Sequence, residues 1–316
     1  MQVFRRCAAK LVSPLRSRHL APVSHGAFGM TQTLVQAWTS ARDRLKTAQV
    51  DQPAIDARIL LEAAAAATRM DILTDPYRAL TPEQTIQLDA YVERRARREP
   101  VSHIVGRKGF WRIMLNVNAH VLTPRPETEL LVDLALKEFE EGGSFSILDL
   151  GVGSGAILLA ILAERPAAKG LGVDVSEEAL AVARENAANL GLAGRVALLR
   201  GDWTDGLADE NFDLVVSNPP YIASGEIASL DPEVRDYEPH AALDGGPDGL
   251  DAYRILAPEI LRVLKPGGRF LVEIGHDQGP TVPPLFVAAG AQDVELLDDL
   301  AGKDRVVTGR KKALGN

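Results

Sequence analysis

Residues 212–216 are a mostly apolar run that ends abruptly in Asn218-Pro219-Pro220-Tyr221. The run reads as a buried strand of a parallel sheet, the kind packed on both faces. Neither proline donates to a strand ladder, and each restricts its own backbone and that of the residue before it. The carbonyls at the strand's carboxyl end are therefore held rigidly and point outward, at the edge where open α/β sheets bind ligands. An Asn amide, a Pro carbonyl and an aromatic ring converge there, a set able to accept two hydrogen bonds from a planar NH2 group. Asn-Pro and Pro-Pro are also ordinary loop punctuation. The buried strand in front and the glycine turn upstream favour a site over a plain turn.

That turn is Asp149-Leu150-Gly151-Val152-Gly153-Ser154-Gly155, following a short apolar strand at 145–150 and preceding a helix from about Ala156. Glycines here let the backbone approach a ligand and aim N–H groups from a helix start. The spacing is GxGxG, not the GxGxxG of dinucleotide sites, and a structural strand-to-helix turn accounts for many such loops. The next strand, 170–175, carries Asp174, placed to accept hydrogen bonds from both hydroxyls of a ribose. A third strand at 196–199 precedes Asp202 and Trp203, an acceptor for an exocyclic amine and a flat surface for an adenine. Ser176, with Glu177 and Glu178 behind it, reads as a helix cap.

Upstream, residues 1–29 hold five basic residues and no acid. This composition fits a mitochondrial transit peptide, or leader ahead of a start at Met30, and predicts disorder in either case. From Thr31 the pattern turns helical, with Leu34, Val35, Trp38, Ala41 and Leu45 on one stripe. Pro53 suits a first helical turn ahead of Ile55, Ile59, Leu60 and Ala63, and Thr81-Pro82-Glu83-Gln84 is a capping box. Arg94, Arg95, Arg97 and Arg98 close that last helix. They either complement its dipole on a solvated face or form a docking patch for an acidic macromolecule. Residues 109–115, 116–118 and 121–122 read as a hairpin, and the prolines of Thr123-Pro124-Arg125-Pro126-Glu127-Thr128-Glu129 end it and start a helix. After the Asn-Pro-Pro-Tyr run, a helix over 251–264, a strand over 269–274 and a terminal hairpin (294–297 with 305–308) complete the chain.

The 316 residues exceed what one core usually serves, so two domains are expected. Residues 30–100 are neutral, with ten charges of each sign, whereas 101–316 carry a balance of −13. An excess of acid around the site repels a phosphate backbone and argues against a nucleic-acid substrate. The single cysteine, Cys7, makes no intrachain disulfide, and the six histidines show no paired metal-ligand spacing. No metal is expected. No apolar run approaches the roughly 18–20 residues of a membrane helix.

Strand, glycine turn, strand-Asp, strand-Asp-Trp and strand-Asn-Pro-Pro-Tyr, in that order, resemble the class I S-adenosylmethionine-dependent methyltransferases. The chain from Thr31 resembles, within them, the HemK-type glutamine methyltransferases of release factors. The resemblance rests on the helical N-terminal segment, Arg98-Glu99-Pro100-Val101, Phe110-Trp111, the Thr123 to Glu129 run, the glycine turn, Asn218 to Tyr221, Glu238-Pro239 and Ala242-Leu243. It implies an α/β, Rossmann-like fold with a seven-stranded, mostly parallel sheet and a small N-terminal helical bundle. The expected divisions are a leader at 1–29, a substrate-docking bundle at 30–105, a hairpin linker at 106–126 and a methyltransferase domain at 127–316. S-adenosylmethionine is implied as cofactor, held by Gly151, Val152, Gly153, Ser154, Gly155, Asp174, Asp202, Trp203 and Asn218. Asn218, Pro219, Pro220 and Tyr221 are the implied catalytic set. Their substrate is the glutamine of the Gly-Gly-Gln loop in peptide-chain release factors. A monomer in the cytoplasm is expected, or in the mitochondrion if 1–29 is a transit peptide. Three rival readings stay open: a nucleic-acid N6-adenine methyltransferase, a ribosomal-protein glutamine methyltransferase, and a non-catalytic S-adenosylmethionine-binding scaffold.

Overall fold

The computed structural model describes residues 32–313, so the leader expected over 1–29 lies outside the described residues. The helical periodicity of the N-terminal segment produces α1 (Leu34–Thr47), α2 (Pro53–Ala65), α3 (Arg69–Thr74), α4 (Pro82–Ala96) and α5 (Val101–Val105). Thr33 and Thr81 both close reciprocal capping boxes, the first with Gln36 and the second with Gln84. Leu34, Leu45, Leu60, Leu61, Leu88 and Val92 form the bundle's own core.

A small hairpin follows, β1 (Arg107–Phe110) and β2 (Ile113–Asn116). Its turn falls at Trp111 and Arg112, not at 116–118 as the sequence suggested, and residues 121–122 are not a strand. Trp111 adopts φ +51°, and two acids hold it there. Its backbone N–H donates to Glu129 Oε1 at 2.8 Å and its indole N–H to Glu164 Oε1 at 3.1 Å. Phe110 and Leu115 sit in the large domain's core, so the hairpin packs as part of that domain.

The remaining elements alternate. A 3-10 turn (Pro126–Thr128) leads into α6 (Glu129–Glu138), β3 (Ser146–Leu150), α7 (Ala156–Glu164), β4 (Lys169–Asp174), α8 (Glu177–Asn189) and β5 (Val196–Arg200). Then come β6 (Phe212–Ser217), α9 (Pro232–Arg235), α10 (Asp251–Val263), β7 (Leu264–Glu273), α11 (Val282–Ala288), β8 (Gln292–Asp298) and β9 (Asp304–Arg310). Seven strands form one sheet in the order β5-β4-β3-β6-β7-β9-β8, and β9 alone runs against the others. The alternation of a strand sends Ile147, Leu214, Val216 and Leu271 to the face covered by α6 and α7. Leu148, Leu150, Val215, Phe270 and Val272 go to the face covered by α10 and α11. The chain builds outward from β3 through β4 to β5, then returns to place β6 on β3's other side. This reversal opens a crevice beyond the carboxyl ends of β3 and β6, the position where such sheets bind ligands.

Asp149 interrupts the apolar face of β3 and is 1% exposed. Its Oδ2 accepts the Leu158 N–H at 3.2 Å, in the first turn of α7, which ties the glycine turn between strand and helix. Burial pushes its carboxyl up to about 7.

The arginine cluster does not behave as one unit. Arg97 pairs with Glu93 on the solvated face of α4, and Arg94 pairs with Glu99. Arg95 is buried, bonding Asp56 Oδ2 at 2.7 Å and Glu233 Oε1 at 2.9 Å. Arg98 adds a 2.8 Å bond to Glu233 Oε2. Two of the four therefore clamp the bundle to α9 of the large domain, and the cluster is not an open docking patch.

Two outcomes follow from these buried charges. Arg95→Met leaves Asp56 and Glu233 without their shared cation and should destabilise the protein by about 3 kcal/mol in urea titration. A loss below about 0.5 kcal/mol would contradict the clamp. Asp149, raised in the folded state, contributes most below the ordinary carboxyl value of 3.8, and that contribution is lost progressively as pH rises from there through about 7. Asp149→Asn should thus gain more in Tm over the parent at about pH 8 than at about pH 4; a pH-independent difference would refute the assignment.

Candidate active site

The parallel register sets Leu150 opposite Ser217, so Gly151 and Asn218 leave adjacent strands side by side. Gly151, Gly153 and Gly155 all take the left-handed conformation, at φ +75°, +52° and +84°. The turn is tied to β4 by three bonds. The Gly151 and Val152 N–H groups both donate to the Val173 carbonyl, and the Gly153 N–H donates to Asp174 Oδ2 at 2.9 Å.

A cavity of about 410 Å³ opens over these strand ends. Of the residues the sequence singled out, Gly151, Val152, Gly153, Ser154, Asp174, Asp202, Trp203, Asn218 and Pro220 line it. Gly155, Pro219 and Tyr221 do not. Asp174 already accepts the Gly153 and Ser176 N–H groups, which fixes its carboxylate while lone pairs remain for a ligand hydroxyl. Trp203 lies beside Gly151, where an added Cβ would sit 3.8 Å from the indole. Among the described residues no group of three or more His, Cys, Asp or Glu is arranged to hold a metal ion.

Pro219 is buried, and Tyr221 packs its ring against the core on the α10 side instead of facing the cavity. Burial pushes the Tyr221 hydroxyl up to about 12, which removes it as an acid or base near neutrality. The backbone beneath it is wedged in place. A Cβ at Gly249 would meet the Tyr221 carbonyl oxygen at 2.4 Å, so only glycine fits there. Gln278 Nε2 donates to the Tyr221 carbonyl at 3.1 Å and to that of Gly249 at 3.0 Å.

Several contributors were not assigned a place in the site from the sequence. Thr123 and Arg125 both hold Glu238, whose side chain is 2% exposed; the Arg125 Nη2 to Glu238 Oε2 bond is 2.7 Å. Glu238 in turn anchors Pro239, Ala241 and Ala242, which roof the cavity. Thr128 Oγ1 accepts from Asn218 Nδ2 at 3.3 Å. Glu273, at the end of β7, is 1% exposed, and burial raises its carboxyl to about 7. The signal for Glu273 was an acid at the end of the apolar strand 270–274, since a buried carboxyl needs partners. The signal for the glycine wedge was the turn-rich Asp-Gly-Gly-Pro-Asp-Gly at 244–249.

A family model described as the PrmC N-terminal domain matches residues 36–106, and one described as a methyltransferase domain matches 142–289. The release factor glutamine methyltransferase of Caulobacter vibrioides is 68% identical over 285 residues, 90% of this chain and 99% of that protein. Its namesake in Rhodospirillum rubrum is 47% identical, covering 86% of this chain and 83% of the relative. That of Cereibacter sphaeroides is 48% identical, with 88% and 98% covered. The similarity runs through both the bundle and the sheet domain, and the chain belongs to the release factor glutamine methyltransferase family.

Proposed function

We propose that the protein transfers a methyl group from S-adenosylmethionine to the side-chain amide nitrogen of the glutamine in the Gly-Gly-Gln loop of peptide-chain release factors. The observation that carries this reading is the pairing of the glycine turn with Asn218 across one crevice. The cavity suits the cofactor: acids at Asp174 and Asp202, an indole at Trp203, and a glycine turn that brings backbone close. Bound there, S-adenosylmethionine supplies an electrophilic methyl group on a cationic sulfur. Gly151, Val152, Gly153, Ser154 and Asp174 would hold its methionine and ribose parts, and Asp202 and Trp203 its adenine.

The chain's own work is to present the nucleophile. An amide nitrogen is weakly nucleophilic because its lone pair is delocalised into the carbonyl. Asn218 Oδ1 and the Pro219 carbonyl accept the two amide N–H bonds and orient the nitrogen toward the donor. Among the described residues the Pro219 carbonyl has no other hydrogen bond to satisfy it. The acceptors also stabilise positive charge growing on nitrogen. Each bond contributes about 1–3 kcal/mol, whereas orientation contributes roughly 7–11 kcal/mol, so rigidity matters more than bond count. Tyr221 serves that rigidity by anchoring the turn in the core. No base is needed beforehand, because the methylated amide is acidic and loses its proton to water.

A protein substrate accords with the excess of acid over 101–316. The bundle supplies the docking surface in this reading. Met70, Leu73, Tyr77 and Ile86 stand between 64% and 79% exposed on it. No helix among the described residues is long and apolar enough to cross a membrane.

Asn218→Ala should lower kcat about 100-fold while the Kd for S-adenosylmethionine moves less than about threefold. Equal loss of both would assign Asn218 to cofactor binding alone. Asp174→Ala should instead weaken that Kd by about tenfold or more, measured by calorimetry; unchanged affinity would remove Asp174 from the ribose role.

A further inference from the structure

We infer that Asn186 is a positioning residue for the cofactor: from α8 it hooks two separate stretches of the cavity lining together, the glycine turn and the segment that follows β2. The inference rests on the reading of this cavity as the S-adenosylmethionine site and extends it to a residue that does not line it.

Asn186 stands in the last turn of α8 and is 1% exposed. Burying a carboxamide is costly unless its donors and its acceptor are all used. Here they are. Oδ1 accepts the Asn116 N–H at 2.7 Å, and Nδ2 donates to the Asn116 carbonyl at 3.0 Å and to the Ser154 carbonyl at 2.9 Å. All three partners are backbone groups, whose donor and acceptor roles are fixed. The amide therefore has one satisfactory orientation, since a flipped one would set its oxygen against two carbonyls and its NH2 against an N–H.

Each partner leads to the cavity. Ser154 belongs to the glycine turn, and its peptide bond to Gly155 is held at both ends. The Gly155 N–H donates to the Val152 carbonyl at 2.8 Å, and Asn186 holds the Ser154 carbonyl. α8 lies close to this turn, for a Cβ on Gly155 would sit 3.6 Å from the Ala183 Cβ. Asn116 ends β2, and residues 119–122 just beyond it line the same cavity. Val117 and Val121 pack with Ala179 and Val182 in a small buried cluster. Ala179, Val182, Ala183 and Asn186 are all buried and fall at helical spacing on one face of α8. The apolar members of that face carry the 117–122 segment, and its one amide fastens the segment's start to the glycine turn. Satisfying the edge of β2 would need only the two bonds to Asn116. The third bond, to Ser154, is what connects the hook to the cofactor.

The test measures cofactor binding by calorimetry, and methyl transfer to a purified release factor, with the full chain at about pH 8. Asn186→Asp keeps the size and the acceptor but sets an oxygen against the Asn116 and Ser154 carbonyls. The Kd and KM for S-adenosylmethionine should rise about tenfold, while kcat at saturating cofactor and the KM for release factor stay within about threefold. A residue that only stabilised the fold would lower Tm and leave the affinity of the folded enzyme unchanged. Asn186→Ala, which leaves room for water at the freed backbone groups, should raise the Kd about fivefold, and it carries the test should Asn186→Asp fail to fold. A third arm uses the parent alone. Saturating S-adenosylmethionine should slow hydrogen exchange about tenfold in the peptide spanning 114–118, which does not line the cavity. A Kd within about threefold of the parent's in both variants, or exchange over 114–118 unmoved by the cofactor, would overturn the role of Asn186. A parent that binds no S-adenosylmethionine would bring down the cofactor site itself, a failure distinct from that of Asn186.

Discussion

The parallel pairing of β3 with β6 is the constraint on which the site depends. It aligns Leu150 with Ser217, so a turn that takes three positive-φ glycines and a turn that takes two prolines leave the sheet as neighbours. One turn is open backbone that can admit a ligand, and the other is stiff backbone that can hold one. Neither is catalytic alone. Their adjacency follows from the reversal of strand order at β3, and the burial of Ile147, Leu148, Leu214 and Val215 on both faces of the sheet keeps the register from slipping.

Around that pair the protein spends buried polar groups on alignment. Asp149 fastens the glycine turn to α7, Asp174 fastens it to its own strand end, and Thr128 holds the Asn218 amide. Isolated buried acids are costly. Asp149 and Glu273 both lie near the carboxyl ends of their strands, which points to function, not to folding alone. The run from Thr123 to Glu129 ties these parts together. Thr123 and Arg125 hold the roof through Glu238, Thr128 reaches Asn218, and Glu129 stabilises the strained turn at Trp111. Arg95 and Arg98 then link the helical bundle to α9 through Glu233, close in sequence to that roof, so the bundle and the site share a mechanical connection.

Much of this was legible in the sequence because it is written locally. The capping box at Thr81, the first-turn proline at Pro53, the glycine turn and the strand-ending prolines act over a few residues, and each appears where its chemistry places it. What was not legible depends on partners far along the chain. Arg98 and Glu233 are 135 residues apart, and nothing near the arginine cluster hints that half of it is spoken for. The hairpin turn at Trp111 lacks the glycine that usually marks such conformations, since two distant acids hold it instead. Tyr221 read as one of the groups converging on the strand end, yet its ring belongs to the core and its backbone to the Gly249 wedge.

The central claim is that this geometry grips a flat amide NH2 beside an activated methyl donor. The most direct measurement is mass spectrometry of a release factor, and of tRNA and DNA, after incubation with the protein and S-adenosylmethionine. The account predicts one added methyl on the Gly-Gly-Gln glutamine side chain and none on the nucleic acids. An unmodified glutamine, or methylated adenine in its place, would contradict it.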